Sequence, residues 1–176
     1  MKKAMKYVTV ASICVWIVAS VLNTYCDQGW LASVSITFAT ITYHFLMRLI
    51  VGFAFNRVMH NKADYTRPWY QLHSVEKKLY QILKVKKWKN KMPSYEPDLF
   101  NPQKHTWDEI AQAMCQAELV HETIAVLSFL PLIMVKYWGS FEVFLITSIC
   151  AATFDLMFAI MQRFNRPRVI KIAQKR

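Results

Sequence analysis

The sequence has four cysteines, and none of them is arranged for metal binding or for catalysis. Cys14, Cys26, Cys115 and Cys150 are scattered along the chain, without a CxxC pair or a Cys/His group at metal-ligand spacing. We therefore expect them to be small core residues. The chain also lacks a recognisable Ser-His-Asp or Cys-His arrangement, which disfavours chemistry through a covalent enzyme intermediate.

Acidic residues are scarce, while long apolar runs are abundant. The chain has 22 Lys and Arg against 11 Asp and Glu, a net charge of +11 and 55% hydrophobic residues. Four apolar blocks, at about 7–25, 31–55, 119–135 and 141–161, are long enough to span or nearly span a bilayer. The sequence therefore predicts an all-α membrane protein with four transmembrane helices in a single domain, residues 1–176.

The first apolar block has two interpretations. Lys2, Lys3 and Lys6 precede it, as the basic residues of a secretory signal peptide would. No convincing small-residue cleavage site follows, and residues 23–26 make a poor lipobox. We therefore expect this block to remain as an uncleaved first helix.

The distribution of Lys and Arg predicts the orientation of the chain. Basic residues crowd the N-terminus, the segment 56–117 and the C-terminal tail, whereas the short connections around Asp27 and at 136–140 are nearly free of them. The positive-inside rule places both termini and the loop 56–117 in the cytoplasm of a multi-pass cell-membrane protein. Because basic residues that flank such helices also contact anionic headgroups, we expect membrane lipids as partners and no nucleic acid.

The cytoplasmic loop contains an amphipathic pattern. Its apolar residues recur at helical spacing, and they are Leu72, Val75, Leu79, Ile82 and Leu83. The lysines around them are Lys77, Lys78, Lys84 and Lys87. The pattern predicts an interfacial helix on the inner leaflet. Such lysines suit the phosphates of a ligand as well as those of lipids, and the spacing favours lipids.

Two spans carry buried polarity at matching depth. Ser33, Thr37, Thr40, His44 and Arg48 recur at steps of three and four in the second block, and Asp155 interrupts the fourth. Both charges lie roughly 12 to 13 Å inside the cytoplasmic boundary, at 1.5 Å per residue. A buried ion pair between them tolerates both charges. The Arg48–Asp155 pair is either a structural bridge or part of a functional site. Alternatively, the Arg48 guanidinium reaches the membrane interface, and His44 forms a hydrogen bond with a neighbour.

The third helix is predicted to begin before the membrane, at the capping box formed by Thr106 and Glu109. Further along, Glu118 and His121 are three residues apart and share a face. A carboxylate beside an imidazole fixes its tautomer and raises its basicity, which general base catalysis needs. A plainer interpretation is a helix start that carries polar residues. The ExxH pattern is half of a di-iron ligand set, and because a second copy is missing we predict no metal.

Three segments together resemble a known family. They are VKKWKNKMP at 85–93, AELVH at 117–121 and QRFNRPR at 162–168. In order and spacing they are similar to the glycosyl-diaponeurosporenoate acyltransferases, over roughly residues 76–172. The resemblance implies an integral membrane acyltransferase and a carotenoid glycolipid pathway. The matched positions are Trp88, Lys89, Glu118, His121, Arg163, Asn165, Arg166 and Arg168.

A mechanism follows as a hypothesis. Glu118 orients His121, which removes a proton from an acceptor hydroxyl that then attacks a thioester carbonyl. Asn165 or Arg166 stabilises the developing oxyanion. The phosphates of the donor, acyl-CoA or acyl carrier protein, are held by Lys89, Arg163 and Arg168. Trp88, His44, Arg48 and Asp155 complete the predicted substrate-binding set. The acceptor is a lipid or glycolipid, and no cofactor is expected.

Two other functions remain open on the sequence. One is a different lipid-modifying enzyme, such as a reductase or methyltransferase that uses a cytoplasmic nucleotide cofactor. It would contain a bound cofactor and show no dependence on acyl-CoA. The other is a non-enzymatic lipid-binding or scaffold protein, which would tolerate loss of His121. The oligomeric state is not indicated.

Overall fold

The described part of the chain, residues 2–26 and 28–175 of a computed structural model, is helical and contains no strand. Its α-helices are α1 (Lys2–Cys26), α2 (Gly29–Met59), α3 (Ser74–Ile82), α4 (Val85–Trp88), α5 (Trp107–Leu127), α6 (Val135–Trp138) and α7 (Phe141–Ala173). The predicted all-α fold is confirmed. The predicted short connection at Asp27 lies outside the described residues.

Four segments are long and apolar enough to cross a membrane, as predicted. They are Lys3–Cys26, Gly29–Met59, Trp107–Trp138 and Phe141–Ala173. Each extends beyond the apolar block that predicted it, because helices continue into the polar residues that flank a membrane. α5 begins at its capping box, where the Thr106 hydroxyl accepts from the Glu109 amide at 3.2 Å.

The third segment is interrupted, which its hydropathy alone did not predict. α5 ends at Leu127, and the chain continues through a 3₁₀ helix, Leu130–Met134, before α6. Pro131 lies at the start of this turn and lacks the backbone N–H that a continuing helix would use. The predicted span 119–135 is therefore one helix followed by a tighter turn.

The long helices pack in pairs, with α1 on α2 and α5 on α7, and α2 joins the pairs by packing on α5. Hydroxyl groups link the first pair, because Thr42 donates to Ser12 at 3.0 Å. Between α2 and α5, Met47, Val51 and Ile124 form a buried apolar cluster. The Tyr43 hydroxyl donates to the Leu127 carbonyl at 2.7 Å. These contacts bring α2, α5 and α7 together.

The connection between α2 and α5 contains the predicted amphipathic helix. This helix is α3, which buries Tyr80 and exposes Val75, Leu79 and Ile82. Burial raises the pKa of the Tyr80 phenol to about 12, so the side chain stays neutral in contact with the bundle. The exposed apolar face suits the headgroup region of a membrane.

The cysteine prediction is wrong for three of the four residues. All four thiols are free, but Cys14, Cys26 and Cys150 are exposed and only Cys115 is buried. The outer surface of a membrane-spanning helix is itself apolar, because lipid chains surround it. A small apolar residue in such a helix is therefore not confined to the core.

The cluster between α2 and α5 generates a stability prediction. We expect Ile124→Ala to lower the free energy of unfolding by about 2 kcal/mol, because the cavity removes packing contacts that lipid does not replace. Denaturant titration in detergent, followed by circular dichroism, measures the change. The matched control is Ile146→Ala on the exposed face of α7, where we expect less than about 0.5 kcal/mol. Equal effects at the two positions would contradict the packing described here.

Candidate active site

A cavity of about 460 Å³ lies where α2 ends and α5 begins, a volume typical of small-molecule sites. Residues of α2, α5 and α7 line it, together with the loop 93–100 and the start of α1. Most of the lining is apolar. Arg48 from α2, His121 from α5 and Asp155 from α7 supply charged and titratable groups to its wall.

Asp155 holds these groups together. One of its carboxylate oxygens accepts a hydrogen bond from Arg48, and the other lies 2.9 Å from Nδ1 of His121. Only 2% of the Asp155 side chain is exposed. Arg48 also donates to the backbone carbonyls of His44, at 2.9 Å, and Ala151, at 3.5 Å. The predicted Arg48–Asp155 pair is thus present, and it connects α2 to α7.

The surroundings of His121 fix both its ring plane and its tautomer. Phe158 stacks on the imidazole with ring centroids 4.7 Å apart and planes 11° apart. An ionised carboxylate only accepts hydrogen bonds, so beside Asp155 the Nδ1 atom carries the proton of a neutral ring. Nε2 is then left as the acceptor. A histidine oriented in this way in a cavity wall can take a proton from a bound hydroxyl group.

The prediction that Glu118 orients His121 is wrong. Glu118 is fully buried, and its two oxygens accept hydrogen bonds from Arg163, at 2.6 Å, and from Arg166. Arg166 is 1% exposed and also donates to the Tyr70 carbonyl. The helical spacing correctly placed Glu118 near His121 along α5. The buried carboxylate instead faces two guanidinium groups of α7, because a charge removed from water needs a counter-charge.

Arg163 extends this second cluster to the connecting segment. Its Nε atom lies 2.7 Å from Glu76 of α3, and its Nη1 atom lies 3.9 Å from Glu122. Trp69 donates to Glu122 at 3.2 Å. The cluster therefore fastens the chain around 69–76 to α5 and α7. Arg163 was predicted to hold phosphate, but three carboxylates already surround it.

The remaining predicted binding residues lie away from the cavity wall. Lys89 donates to Asn165 and lies 4.8 Å from the Phe164 ring centroid. Burial, with the neighbouring charges of Arg168 and Lys86, lowers the pKa of Lys89. Positive charges therefore converge here, with Arg168 exposed to solvent.

Trp88 and the four residues predicted as one catalytic centre have separate partners in the structure. Trp88 donates to the Leu83 carbonyl at 3.0 Å, so its indole N–H already has a partner. His121 belongs to the cavity, Glu118 and Arg166 form a buried ion pair, and Asn165 contacts Lys89. The structure therefore does not bring His121, Glu118, Asn165 and Arg166 together as a single centre. These side chains share a region of the fold but point to different partners.

His44 is buried next to this site without lining the cavity. Among the described residues, neither of its ring nitrogens has a hydrogen-bond partner. Its role in substrate binding stays a prediction. No group of three His, Cys, Asp or Glu side chains in residues 2–26 and 28–175 is placed to hold a metal ion.

Several residues of the site were not predicted. Phe158 shares a helical face with Asp155, a spacing visible in the sequence, but its stacking on His121 depends on the packing of α5 against α7. Gln116 exchanges two hydrogen bonds with Asn61, at 2.7 and 3.0 Å, on the cavity wall. No local pattern indicates that pair, because 55 residues separate its members.

Comparison with protein families decides the class of the protein. The glycosyl-4,4'-diaponeurosporenoate acyltransferase family matches residues 66–175, more than half of the chain. The chain belongs to this family. It is therefore an acyltransferase, and its four long apolar helices make it a membrane protein. A search of curated proteins and a search of solved structures each gave no match.

The family match covers only part of the site. His121, Asp155 and the Glu118–Arg166 pair lie within the matched residues, whereas α1 and α2 precede them. Arg48 therefore joins the site from a part of the chain that the family match does not reach.

The buried cluster around Glu118 generates a second stability prediction. We expect Glu118→Ala to lower the free energy of unfolding by about 3–5 kcal/mol, because Arg166 is left buried without a carboxylate. Thermal unfolding in detergent micelles measures the loss. Glu142→Ala, which removes an exposed carboxylate at the start of α7, should change stability by less than about 0.5 kcal/mol. A small effect at Glu118 would mean that the pair does not fasten the connecting segment.

Proposed function

We propose that the protein transfers a fatty acyl group from a thioester donor to a hydroxyl group of a lipid or glycolipid acceptor. The observation that supports this reaction is the His121–Asp155–Arg48 arrangement in the wall of a largely apolar cavity. It supplies an oriented base and a cation beside space for an alkyl chain. The donor is acyl-CoA or acyl carrier protein.

The proposed reaction forms one bond, breaks one bond and transfers one proton through His121. His121 Nε2 takes the proton of the acceptor hydroxyl as the oxygen attacks the thioester carbonyl. A carbon–oxygen bond forms, and the tetrahedral intermediate carries the negative charge on the former carbonyl oxygen. When the intermediate collapses, the carbon–sulfur bond breaks and the imidazolium returns its proton to the leaving thiolate. The products are an ester and a free thiol, without an acyl-enzyme.

Asp155 and Arg48 have distinct roles in this proposal. Asp155 holds the imidazole in the reactive tautomer and stabilises the imidazolium that forms, as the carboxylate of a catalytic triad does. Arg48 places a positive charge in the same wall, where it stabilises the developing oxyanion. Arg48 thus replaces Asn165 and Arg166, because Arg48 lines the cavity and those two residues do not. Glu118, Arg163 and Arg166 position α5 and α7.

The basic surface formed by Lys86, Lys89 and Arg168 is suited to the donor. Both coenzyme A and the prosthetic group of acyl carrier protein carry phosphate, which Lys and Arg side chains bind. We propose that this surface faces the cytoplasm, where both donors are found. The positive-inside rule gives the same orientation, with both termini and the segment 60–106 on that side.

The catalytic assignment is tested by His121→Gln and Asp155→Asn. We expect each to lower kcat for acyl transfer by at least about a hundredfold, because the base is lost or held in the wrong tautomer. The measurement uses purified protein in nanodiscs, a radiolabelled acyl-CoA and alkyl glucoside acceptors, with melting temperatures recorded in parallel. His105→Gln, a histidine outside the cavity wall, should retain full activity.

Two outcomes would overturn this assignment. If folded His121→Gln protein retains full transfer, the histidine is not the base. If transfer persists without acyl-CoA or acyl carrier protein, or if no acyl product forms in any condition, the proposed donor or reaction is wrong.

The proposed donor surface is tested by the double variant Lys89→Ala/Arg168→Ala. We expect the KM for acyl-CoA to rise about tenfold and kcat to change little, since phosphate contacts outside the reacting groups contribute binding alone. Raising the salt concentration should weaken wild-type binding and affect the variant less. The control is Lys62→Ala/Lys136→Ala, which removes two exposed lysines elsewhere. An unchanged KM in the first variant would place the donor phosphates on another surface.

A further inference from the structure

The cavity reaches the surface of the bundle between α2 and α7. Phe53 of α2 and Phe154 of α7 both line the cavity, and 73% and 46% of these residues are exposed. Both belong to segments that are apolar enough to cross a membrane. Their exposed faces therefore contact lipid chains rather than water. We therefore interpret the part of the cavity between these two aromatic side chains as its lateral opening toward the bilayer.

The polar bridge across this opening lies at its inner edge. Arg48 reaches from α2 to Asp155 and to the Ala151 carbonyl of α7. On the α2 side the wall between Arg48 and Phe53 is formed by Leu49 and Gly52, whereas Lys6 of α1 and Glu96 of the loop 93–100 line other parts of the cavity. A molecule that enters between Phe53 and Phe154 therefore meets apolar groups before it reaches Arg48 and Asp155.

A glycine provides space in the α2 wall. Gly52 lies one helical turn after Arg48, so the two share a face of α2. It lines the cavity, and a Cβ atom built at this position would meet no atom within 4 Å. Its backbone is helical and has no positive φ. The glycine is therefore not required by backbone geometry, and it leaves a channel beside the catalytic groups.

We infer that the space between Gly52, Phe53 and Phe154 holds the alkyl chain of the acceptor, which reaches His121 by lateral diffusion from the membrane. This inference rests on the proposed acyl transfer and specifies the class of its acceptor. An amphiphile seated here has its hydroxyl-bearing head at His121 and its chain directed through the opening into the lipid. The acceptor's chain is favoured over the donor's because the opening faces the bilayer, where the acceptor resides.

The test fills the channel. Wild-type protein, Gly52→Phe and the control Gly29→Phe are reconstituted in nanodiscs with palmitoyl-CoA and either dodecyl or butyl β-D-glucoside. We expect Gly52→Phe to lower kcat/KM for the dodecyl acceptor about tenfold, equivalent to losing the hydrophobic burial of roughly two methylene groups. Transfer to the butyl acceptor should stay within about twofold. Gly29 lies at the start of α2, away from the cavity, and also has open space around it.

Folding does not confound this comparison. Replacing glycine inside a helix raises the intrinsic helix propensity, so both variants should fold, and a melting temperature checks each. Gly29→Phe should leave both acceptors unaffected. If Gly52→Phe lowers transfer to the two acceptors equally, or to neither, the inference is wrong.

A second arm separates the two sources of an alkyl chain. The acceptor is held constant while octanoyl-CoA is compared with palmitoyl-CoA. We expect the preference between these donors to be the same in Gly52→Phe and wild type. If the variant changes the donor preference instead, the channel holds the acyl chain of the donor, and the assignment to the acceptor is overturned.

A third arm is independent of catalysis. Dodecyl glucoside with a diazirine in the middle of its chain is photolysed in nanodiscs, and labelled peptides are identified by mass spectrometry. Labelling near Phe53 and Phe154 is expected in wild type and Gly29→Phe and should be lost in Gly52→Phe. Such labelling without any acyl transfer would support the channel and refute the proposed reaction. Transfer without labelling at these residues would refute the channel alone.

Discussion

The arrangement of the site depends on a single buried carboxylate that satisfies two partners at once. Asp155 accepts hydrogen bonds from Arg48 and His121 on different helices, and its own side chain is almost fully buried. An isolated charge in such a position would be strongly unfavourable, and its pairing with a guanidinium removes most of that cost. The same pairing keeps the carboxylate an acceptor, which in turn sets the tautomer of His121. Stability and chemistry therefore depend on the same atoms.

A second buried carboxylate, Glu118, has a different role. It lies one helical turn before His121 on α5. Glu118 faces Arg163 and Arg166, and these arginines also bind Glu76 and the Tyr70 carbonyl of the connecting segment. The two acids, which lie at adjacent depth, therefore have different roles. Asp155 orients His121, and Glu118 fastens the connecting segment, because different cations reach each carboxylate. Because α7 carries Asp155 itself and the two arginines that face Glu118, a small rotation of α7 would disturb the two clusters together.

The sequence predicted the fold more completely than the site. Apolar blocks, the capping box at Thr106 and the amphipathic pattern of α3 depend on local residue order, and all three appear in the structure. The matching depths of Arg48 and Asp155 predicted a long-range pair, because two opposite charges in lipid have few alternatives. The partner of Glu118 could not be predicted in this way. The two buried carboxylates, Glu118 and Asp155, and three arginines approach the same end of the bundle, and only the rotation of each helix decides how they combine.

The division of the cavity between two parts of the chain has an evolutionary consequence. The matched residues, 66–175, carry the histidine and its carboxylate, while the helical hairpin α1–α2 before them supplies Gly52 and Phe53. A change in that hairpin that leaves Arg48 in place can reshape one wall of the cavity without moving His121 or Asp155. The shape of one cavity wall and the orientation of the histidine are therefore encoded in separate stretches of the sequence, so that substitutions can accumulate in one without disturbing the other.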